Sequence, residues 1–300
     1  MKSIAGQLAY FIGGCKDMSY SCALIVNADD LGWAPGRDRG IVRAIDYGIV
    51  TSVSLLANGD TFAAAATQIR QRHVGIGVHL NLSEGRALGG YINGLTDADG
   101  NFRGKQHSRG IFAHAAFDPG AALRELKLQV EAVLSSGLVP DHVDYHQHMG
   151  IFPSTLPLVL EVCRHFGIAA ARFSCPAEDA AFDPGGTLGN ELHLYRRFAP
   201  QMRAQLQRAG LLFPAAIWGM PLLNLLDLHN LEMLLHHMPA GCWELMVHPG
   251  YEDAGIPFCG AERRIELEAL TAVSVREICL QRGIELITFG DLHAYPHLLA

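Results

Sequence analysis

Ionisable side chains stand at or near the ends of four predicted strand segments in this sequence of 300 residues. Asp29 and Asp30 follow the first segment, and His79, His146 and His248 lie at the ends of three later ones. The C-terminal ends of parallel strands meet on one face of an α/β fold, so we expect these groups to lie close together. One carboxylate and two imidazoles form a three-ligand set for a catalytic divalent metal, with positions left for water and substrate. The placement therefore predicts a catalytic metal site.

The two neighbouring carboxylates are expected to have different roles. Residues 23–26 are four consecutive apolar side chains, the pattern of a parallel strand that is buried on both faces. Adjacent side chains of a strand point to opposite sides, so Asp29 and Asp30 should not do the same work. A solvated turn is the ordinary interpretation of an Asp-Asp pair, and a single histidine is more often structural than catalytic. The buried strand before the pair and the later histidine-bearing strands favour a functional site.

Alternating strand and helix patterns provide the elements that must position these groups. After the first strand, apolar runs predict strands at 51–56, 74–82, 141–146, 169–173, 215–219, 242–248 and 284–289. Helical spacing predicts helices at 37–48, 61–72, 119–136, 153–166, 196–209, 227–237 and 262–282. We expect residues 21–300 to form a single α/β domain, a distorted β/α barrel of seven or eight parallel strands. A doubly wound open sheet is the structural alternative.

Three segments fall outside this alternation. Residues 1–20 are expected to be a loosely ordered leader, because their apolar stretch is too short for a signal-peptide core. The connections 85–117 and 174–195 are longer than ordinary loops between a strand and a helix. Long loops inside compact domains are usually functional, so we expect these two connections to border the substrate and to determine specificity.

Composition argues against several classes of protein. Hydrophobic residues make up 49% of the chain and charged residues 18%, which favours a large core over disorder. The net charge of −7 argues against a nucleic acid as the partner. The seven cysteines contain no Cys-x-x-Cys pair, and no apolar run reaches the ~18 residues of a membrane span. We therefore expect a cytoplasmic protein, as a monomer or as a homo-oligomer.

Four short motifs occur in the order in which they are found in a known family. They are NADDLG at 27–32, GIGVHL at 75–80, DHVDYHQHM at 141–149 and MVHPG at 246–250, and IELITFGDL at 284–292 also fits. In these motifs the chain resembles the YdjC-like carbohydrate deacetylases, which include chitooligosaccharide deacetylases and a branch associated with hopanoid biosynthesis. The resemblance implies a barrel related to the NodB-type deacetylases. It also implies metal-dependent removal of an N-acetyl group from a sugar or glycoconjugate.

The resemblance implies a role for each group at the strand ends. Asp30, His79 and His146 match the metal ligands of the family, Asp29 its general base and His248 a catalytic histidine on the acid side. The cofactor is one divalent metal ion, for which this ligand set suits zinc best, with magnesium or another divalent metal as the alternative. Such an ion polarises the amide carbonyl and lowers the pKa of bound water from near ~16 towards ~7. A carboxylate can then take the water's proton, and a protonated imidazole can protonate the leaving amine.

Several polar and aromatic residues are candidate contacts for the substrate, a small N-acetylated saccharide or a glycolipid. They are Asn81, His148, Phe152, Arg172, Trp218 and Tyr251. For Phe152 and Trp218, packing in the core is as good an interpretation as stacking on a sugar, and Arg172 could instead pair with a carboxylate. Asp144 is either a carboxylate that orients a metal-binding imidazole or an ordinary strand residue. Two other functions remain open: another metal hydrolase, such as an amidohydrolase or phosphoesterase, and a non-catalytic sugar-binding module.

Overall fold

A parallel sheet forms the centre of the molecule, of which the computed structural model describes residues 22–298. The expected leader at 1–20 lies outside these residues. β1 (Cys22–Leu31) is buried along its whole length, as its apolar run predicts. The strands that follow are β2 (Ser52–Leu55), β3 (Gly75–Leu80), β4 (His142–Tyr145), β5 (Ala170–Ala171), β6 (Gly241–Val247) and β7 (Ile284–Ile287). All of them pair in parallel within one sheet.

The sheet closes on itself. Its strands follow the order β5-β4-β3-β2-β1-β6. β7 pairs with the N-terminal half of β1, and β2 pairs with its C-terminal half. The segment 212–218 then joins β5 to β6: the N–H of Ala171 donates to the carbonyl of Leu212, and the N–H of Trp218 donates to the carbonyl of Glu244. These bonds complete a ring, so the expected distorted β/α barrel is confirmed and the open sheet is not formed.

Nine α-helices connect the strands in the described part of the chain. They are α1 (Pro35–Tyr47), α2 (Phe62–Ile69), α3 (Lys105–His114), α4 (Pro119–Ser135), α5 (Leu156–Phe166), α6 (Gly186–Arg208), α7 (Leu228–His237), α8 (Ala261–Leu270) and α9 (Val273–Arg282). α4 shows why they form. The Asp118 carboxylate accepts hydrogen bonds from two N–H groups of its first turn, and Leu126, Val130 and Val133 are buried on one face.

The structure corrects the sequence prediction in four places. The strand predicted at 215–219 is not formed as a regular strand, since Ile217 makes only isolated bridges to Glu244 and Pro176. Residues 262–282 form two helices rather than one, because Ala272 takes an extended conformation between α8 and α9. The connection 85–117 contains α3. The connection 174–195 is irregular only in its first part, since α6 begins at Gly186 and extends for 23 residues. Both long connections therefore carry helices whose side chains have defined positions.

A large hydrophobic core lies between the barrel and its helices, and a second, smaller cluster includes Ala23, Ile25 and Phe289. The six cysteines that the structure describes are free, and five of them are buried. Over residues 22–298, no helix combines the length and the apolar character that crossing a membrane would require.

Candidate active site

The end of β1 departs from regular strand geometry at the two carboxylates. The register between β1 and β2 shifts between Ala28 and Leu31, so that Asp29 and Asp30 together lie opposite one residue of β2. This is a β-bulge, and Asp30 has a left-handed backbone with φ of 64°. Aspartate is among the few residues that adopt this conformation readily. Both carboxylates consequently line one cavity, although strand alternation predicts that they point to opposite sides.

Asp30, His79 and His146 come together where β1, β3 and β4 end. Asp30 Oδ1 is 3.0 Å from His146 Nδ1 and 3.4 Å from His79 Nε2. One ligand atom from each residue lies within 4.8 Å of the other two, so this buried trio could hold a metal ion. A set of one carboxylate and two imidazoles fits a divalent metal that keeps open coordination positions.

Carboxylates behind the two imidazoles orient them toward Asp30. His79 Nδ1 lies 3.0 Å from Asp144 Oδ1, which leaves Nε2 facing Asp30. His146 Nε2 lies 3.1 Å from Glu84 Oε2, while Nδ1 faces Asp30. Such carboxylate–imidazole pairs fix the ring orientation of metal-binding histidines. Asp144 therefore serves the imidazole of β3 rather than that of His146, its neighbour in sequence.

The pKa values of the trio show that the surrounding carboxylates favour positive charge at this site. Burial opposes a charge on His79, but the carboxylates of Asp144 and Asp29 outweigh burial and raise the pKa of His79 to about 10. Burial is likewise outweighed at His146, where Asp30 raises the pKa. Against burial, the imidazoles hold the pKa of Asp30 well below its usual range. A bound cation would replace these protons, so the donor set fits a metal ion.

Asp29 has a permanent positive partner. The Arg172 guanidinium donates to both carboxylate oxygens of Asp29, at 2.7 Å and 2.6 Å, and also contacts Asp144 at 3.0 Å and Glu244 at 2.6 Å. Burial raises the pKa of Asp29, but the charges of Arg172 and His79 outweigh it and lower the pKa to about 2. Asp29, His79 and Asp144 form a second trio with suitable spacing for a metal ion. Because Arg172 already compensates both carboxylates, the trio around Asp30 fits a metal better.

His248 directly follows β6, on another side of Asp29. Its Nε2 is 3.9 Å from Asp29 Oδ2, and its backbone N–H donates to Glu266 at 2.7 Å. Burial lowers the pKa of His248 to about 3, with help from the charges of Arg263 and Arg37 and against those of the two aspartates. His248 is therefore a neutral imidazole near pH 7, whereas the sequence analysis expects an imidazole that is protonated before it donates to the leaving amine.

The strand-end groups line a cavity of about 280 Å³. On its polar wall, Lys105 Nζ lies 2.6 Å from Glu191 Oε1, and the Tyr195 hydroxyl donates to Glu191 Oε2 at 3.1 Å. Apolar lining residues are Leu188, Met220, Leu223, Met246, Pro257 and Phe258. Lys105 belongs to the connection 85–117 and Glu191 to the connection 174–195. Both long connections therefore border the cavity.

One of the six candidate substrate contacts lines this cavity. His148 has its Nδ1 2.9 Å from the Ser174 hydroxyl and its ring 4.7 Å from that of Tyr195. The other five lie outside the lining. Their contacts are structural: the Trp218 indole donates to a backbone carbonyl, the Phe152 ring packs on other aromatic rings, and Tyr251 packs on an arginine. The Asn81 side chain bonds to the loop after β3, and Arg172 holds the carboxylates.

The sequence analysis did not identify several other residues that line the cavity. Trp33 and Arg37 follow the aspartate pair closely, and Arg37 Nη1 donates to Asp30 Oδ2 at 3.2 Å. A signal for Arg37 does exist, because it shares a helix face with the buried Ile41, and a charged group on an apolar face indicates a buried ion pair. Phe258 lies in an irregular segment, for which residue spacing offers no signal.

Comparison with known proteins identifies relatives over nearly the whole chain. The family model described as YdjC-like protein matches residues 23–281. A carbohydrate deacetylase of Mus musculus is 34% identical over 90% of this chain and 94% of its own length. The corresponding values are 32%, 90% and 90% for a carbohydrate deacetylase of Homo sapiens, and 28%, 90% and 99% for one of Clostridium beijerinckii.

A solved structure supports the fold independently. A protein from Enterococcus faecalis, named as a cellobiose-phosphate cleavage protein, matches with a TM-score of 0.67 at 23% identity. The match covers 91% of this chain and 99% of that one. The family model, which spans most of the sequence, and the relatives at 34% and 32% identity show that the chain belongs to the YdjC-like family.

Proposed function

We propose that this protein removes the N-acetyl group from an N-acetylated sugar or glycoconjugate by metal-dependent hydrolysis. The names of its relatives, carbohydrate deacetylases, support this activity. The observation that carries the proposal is the position of Asp29: its Oδ2 lies 3.9 Å from His79 Nε2 in the metal-binding trio and 3.9 Å from His248 Nε2. A base thus stands between a metal site and an imidazole in one cavity, as amide hydrolysis requires.

Asp30, His79 and His146 would hold one divalent metal ion, zinc in the first place. When bound, the ion supplies polarisation of the amide carbonyl and a lowered pKa for water. Arg37 donates to Asp30 Oδ2 and so keeps Oδ1 turned toward the imidazoles. The chain therefore presents the three ligand atoms without needing a change of side-chain conformation.

Asp29 is the proposed general base. The two hydrogen bonds from Arg172 fix its carboxylate plane, and the Asn27 amide donates to Oδ1 at 2.8 Å. Oδ2 is the oxygen nearer to His79 and His248, so it is the atom placed to take a proton from water. The guanidinium keeps the carboxylate ionised, which is the form that a base needs.

His248 is proposed to pass a proton to the leaving amine. It is neutral before reaction, so the proton that Asp29 Oδ2 takes from water can move to His248 Nε2 and then to the departing nitrogen. This route balances the protons, since one leaves the water and one arrives on the amine. Its low pKa makes the imidazolium a strong acid, which favours the final transfer.

The proposed substrate is a small N-acetylated saccharide or the head group of a glycolipid. On the polar wall, Lys105 offers hydrogen-bond donors and Glu191 offers acceptors to sugar hydroxyl groups. Specificity is proposed to depend on the two long connections, because they supply these residues. The free cysteines support the proposal of a cytoplasmic location.

The test compares neighbouring variants by elemental analysis and by acetate release from a panel of N-acetylated saccharides. Asp30→Ala should lose both metal and activity, because the site loses its anionic ligand. Asp29→Asn should keep the metal and lose about 10²–10⁴-fold in kcat. Asp46→Asn, at an exposed ion pair with Arg72, is the control and should match the wild type. Loss of metal from Asp29→Asn but not from Asp30→Ala would reverse the roles, and absence of acetate release from the metal-loaded wild type would refute the proposed activity.

A further inference from the structure

Strained backbone conformations cluster around the cavity. Of the six non-glycine residues with positive φ in the described chain, four line the cavity: Asp30, Gln147, His148 and Phe258. Phe258 is the least expected of them, because a bulky residue gains nothing from its φ of 60°. Residues held in such conformations are concentrated at functional sites. The strained backbone at Phe258 therefore indicates a function for its aromatic ring.

Buried residues hold Phe258 in this conformation. The Arg37 guanidinium donates to its backbone carbonyl, and the ring centroid lies 4.2 Å from the guanidinium carbon of Arg263 and 5.3 Å from that of Arg37. Arg37 is in turn bonded to Asp30, and Arg263 is paired with Glu266 at 2.9 Å. Both arginine side chains are fully buried. The two guanidinium groups that contact the ring are therefore held in place by carboxylates, and they hold the ring in turn.

The ring that is held in this way faces the cavity and not the core. Phe258 is 39% exposed, and its ring stands at 85° to the imidazole of His248 with the centroids 5.0 Å apart. Apolar side chains of Met220, Leu223 and Met246 line the same cavity. Asparagine or glycine would fit the left-handed backbone with less strain, and the contacts with the two arginines use only part of the ring surface, since the side chain remains 39% exposed.

We propose that Phe258 is a specificity-determining residue that receives the apolar C–H face of the sugar ring bearing the acetamide group. The inference rests on the proposed function, because His248 would serve the leaving amine and this amine is attached to that sugar ring. One face of a pyranose presents C–H groups, and packing it on an aromatic ring removes apolar surface of both from water. The ring next to His248 is the one placed to make this contact.

Replacement of Phe258 by asparagine removes the aromatic ring and keeps the left-handed backbone conformation. Asparagine accepts the left-handed conformation, as Asn224 does at φ of 67° in this chain. Relief of strain offsets the lost contacts with the arginines, so Phe258→Asn should melt within about 4 °C of the wild type. Its Kd for chitobiose, the deacetylated disaccharide, should rise about ten-fold or more by calorimetry. Phe258→Tyr, which keeps the ring, should bind like the wild type.

Turnover of N,N′-diacetylchitobiose provides the second measurement. KM of Phe258→Asn should rise about as much as Kd, while kcat changes less. Leu225→Asn is the matched control, since it removes an exposed apolar side chain (53% exposed) that does not line the cavity. It should leave both constants unchanged.

Wild-type Kd and KM in Phe258→Asn would overturn the inference. If that variant does not fold, Phe258→Leu decides, because leucine keeps apolar packing without a flat ring: a raised Kd supports the inference and an unchanged Kd overturns it. A wild-type protein that binds chitobiose but releases no acetate would refute the proposed function alone, and the chitobiose Kd would still decide on Phe258. A wild type that binds neither saccharide overturns the assignment of Phe258.

Discussion

Replacement of Arg172 by lysine tests how the proposed base is positioned. Arg172 is fully buried, and its guanidinium is shared by Asp29, Asp144 and Glu244. Lysine keeps the positive charge but replaces a planar fork of five N–H donors by one ammonium with three. The bidentate contact with Asp29, at 2.7 Å and 2.6 Å, cannot be reproduced together with the contacts to the other two carboxylates.

The expected loss of stability follows from the number of bonds. Arg172 makes two hydrogen bonds to Asp29, at 2.7 Å and 2.6 Å, and two to Glu244, at 2.8 Å and 2.6 Å. At least two of these bonds should be lost in Arg172→Lys, and each is worth about 1.5–3 kcal/mol when a charged group takes part. The free energy of unfolding should therefore fall by about 3–6 kcal/mol, a large share of the ~5–15 kcal/mol that is typical of folded domains.

Urea unfolding, elemental analysis and acetate release measure the three consequences. Arg172→Lys should remain folded at low temperature, keep its metal and lose at least about ten-fold in kcat, because Asp29 is no longer held in one orientation. Arg164→Lys is the control, since Arg164 pairs with Glu161 at the surface, away from the cavity, and its side chain is 75% exposed; its loss of stability should be below about 1 kcal/mol. A destabilised Arg172→Lys with wild-type kcat would refute the positioning of Asp29. Loss of metal would show that Arg172 supports the metal-binding trio instead.

Two further predictions concern other carboxylates. Glu84→Ala removes the partner of His146 and should weaken zinc binding by about 10–100-fold in calorimetry, while Glu161→Ala at the surface should not; equal affinities would contradict this role. Burial raises the pKa of Glu178 from 4.5 to about 7, so the folded protein keeps a proton that the unfolded chain releases between these values. The contribution of Glu178 to stability should consequently fall by about 3 kcal/mol as the pH rises from about 5 to 7, and the pH dependence of urea unfolding should differ by about this amount between the wild type and Glu178→Gln. The same slope in both proteins would be the contrary result.

The barrel could be predicted from the sequence because its signals are local. Four consecutive apolar residues before the aspartate pair are typical of a buried parallel strand, and β1 is that strand. The start of α4 follows from Pro119 and from the apolar spacing behind it. The break between α8 and α9 was not predictable, because Thr271 and Ala272 are neither glycine nor proline and carry no local signal for a helix end.

The candidate site was predictable in its strand-end groups and not in the partners of these groups. His79, His146 and His248 lie at the ends of predicted strands, and parallel strands bring such ends together. The three partners of Arg172 come from three other strands, so its role depends on strand order, which spacing does not reveal. The bulge at Asp29 was hidden for a similar reason, because it arises from the register between β1 and β2.

The bulge gives two adjacent carboxylates different principal charge partners. Asp29 is compensated by Arg172, a group that remains protonated at every physiological pH, whereas the trio of Asp30, His79 and His146 holds protons that a metal ion can replace. The hydrogen bonds that Arg172 donates to Asp29 therefore come from outside the metal-binding trio. Since these bonds orient the base before a metal binds, we expect metal binding to spend little of its free energy on positioning Asp29.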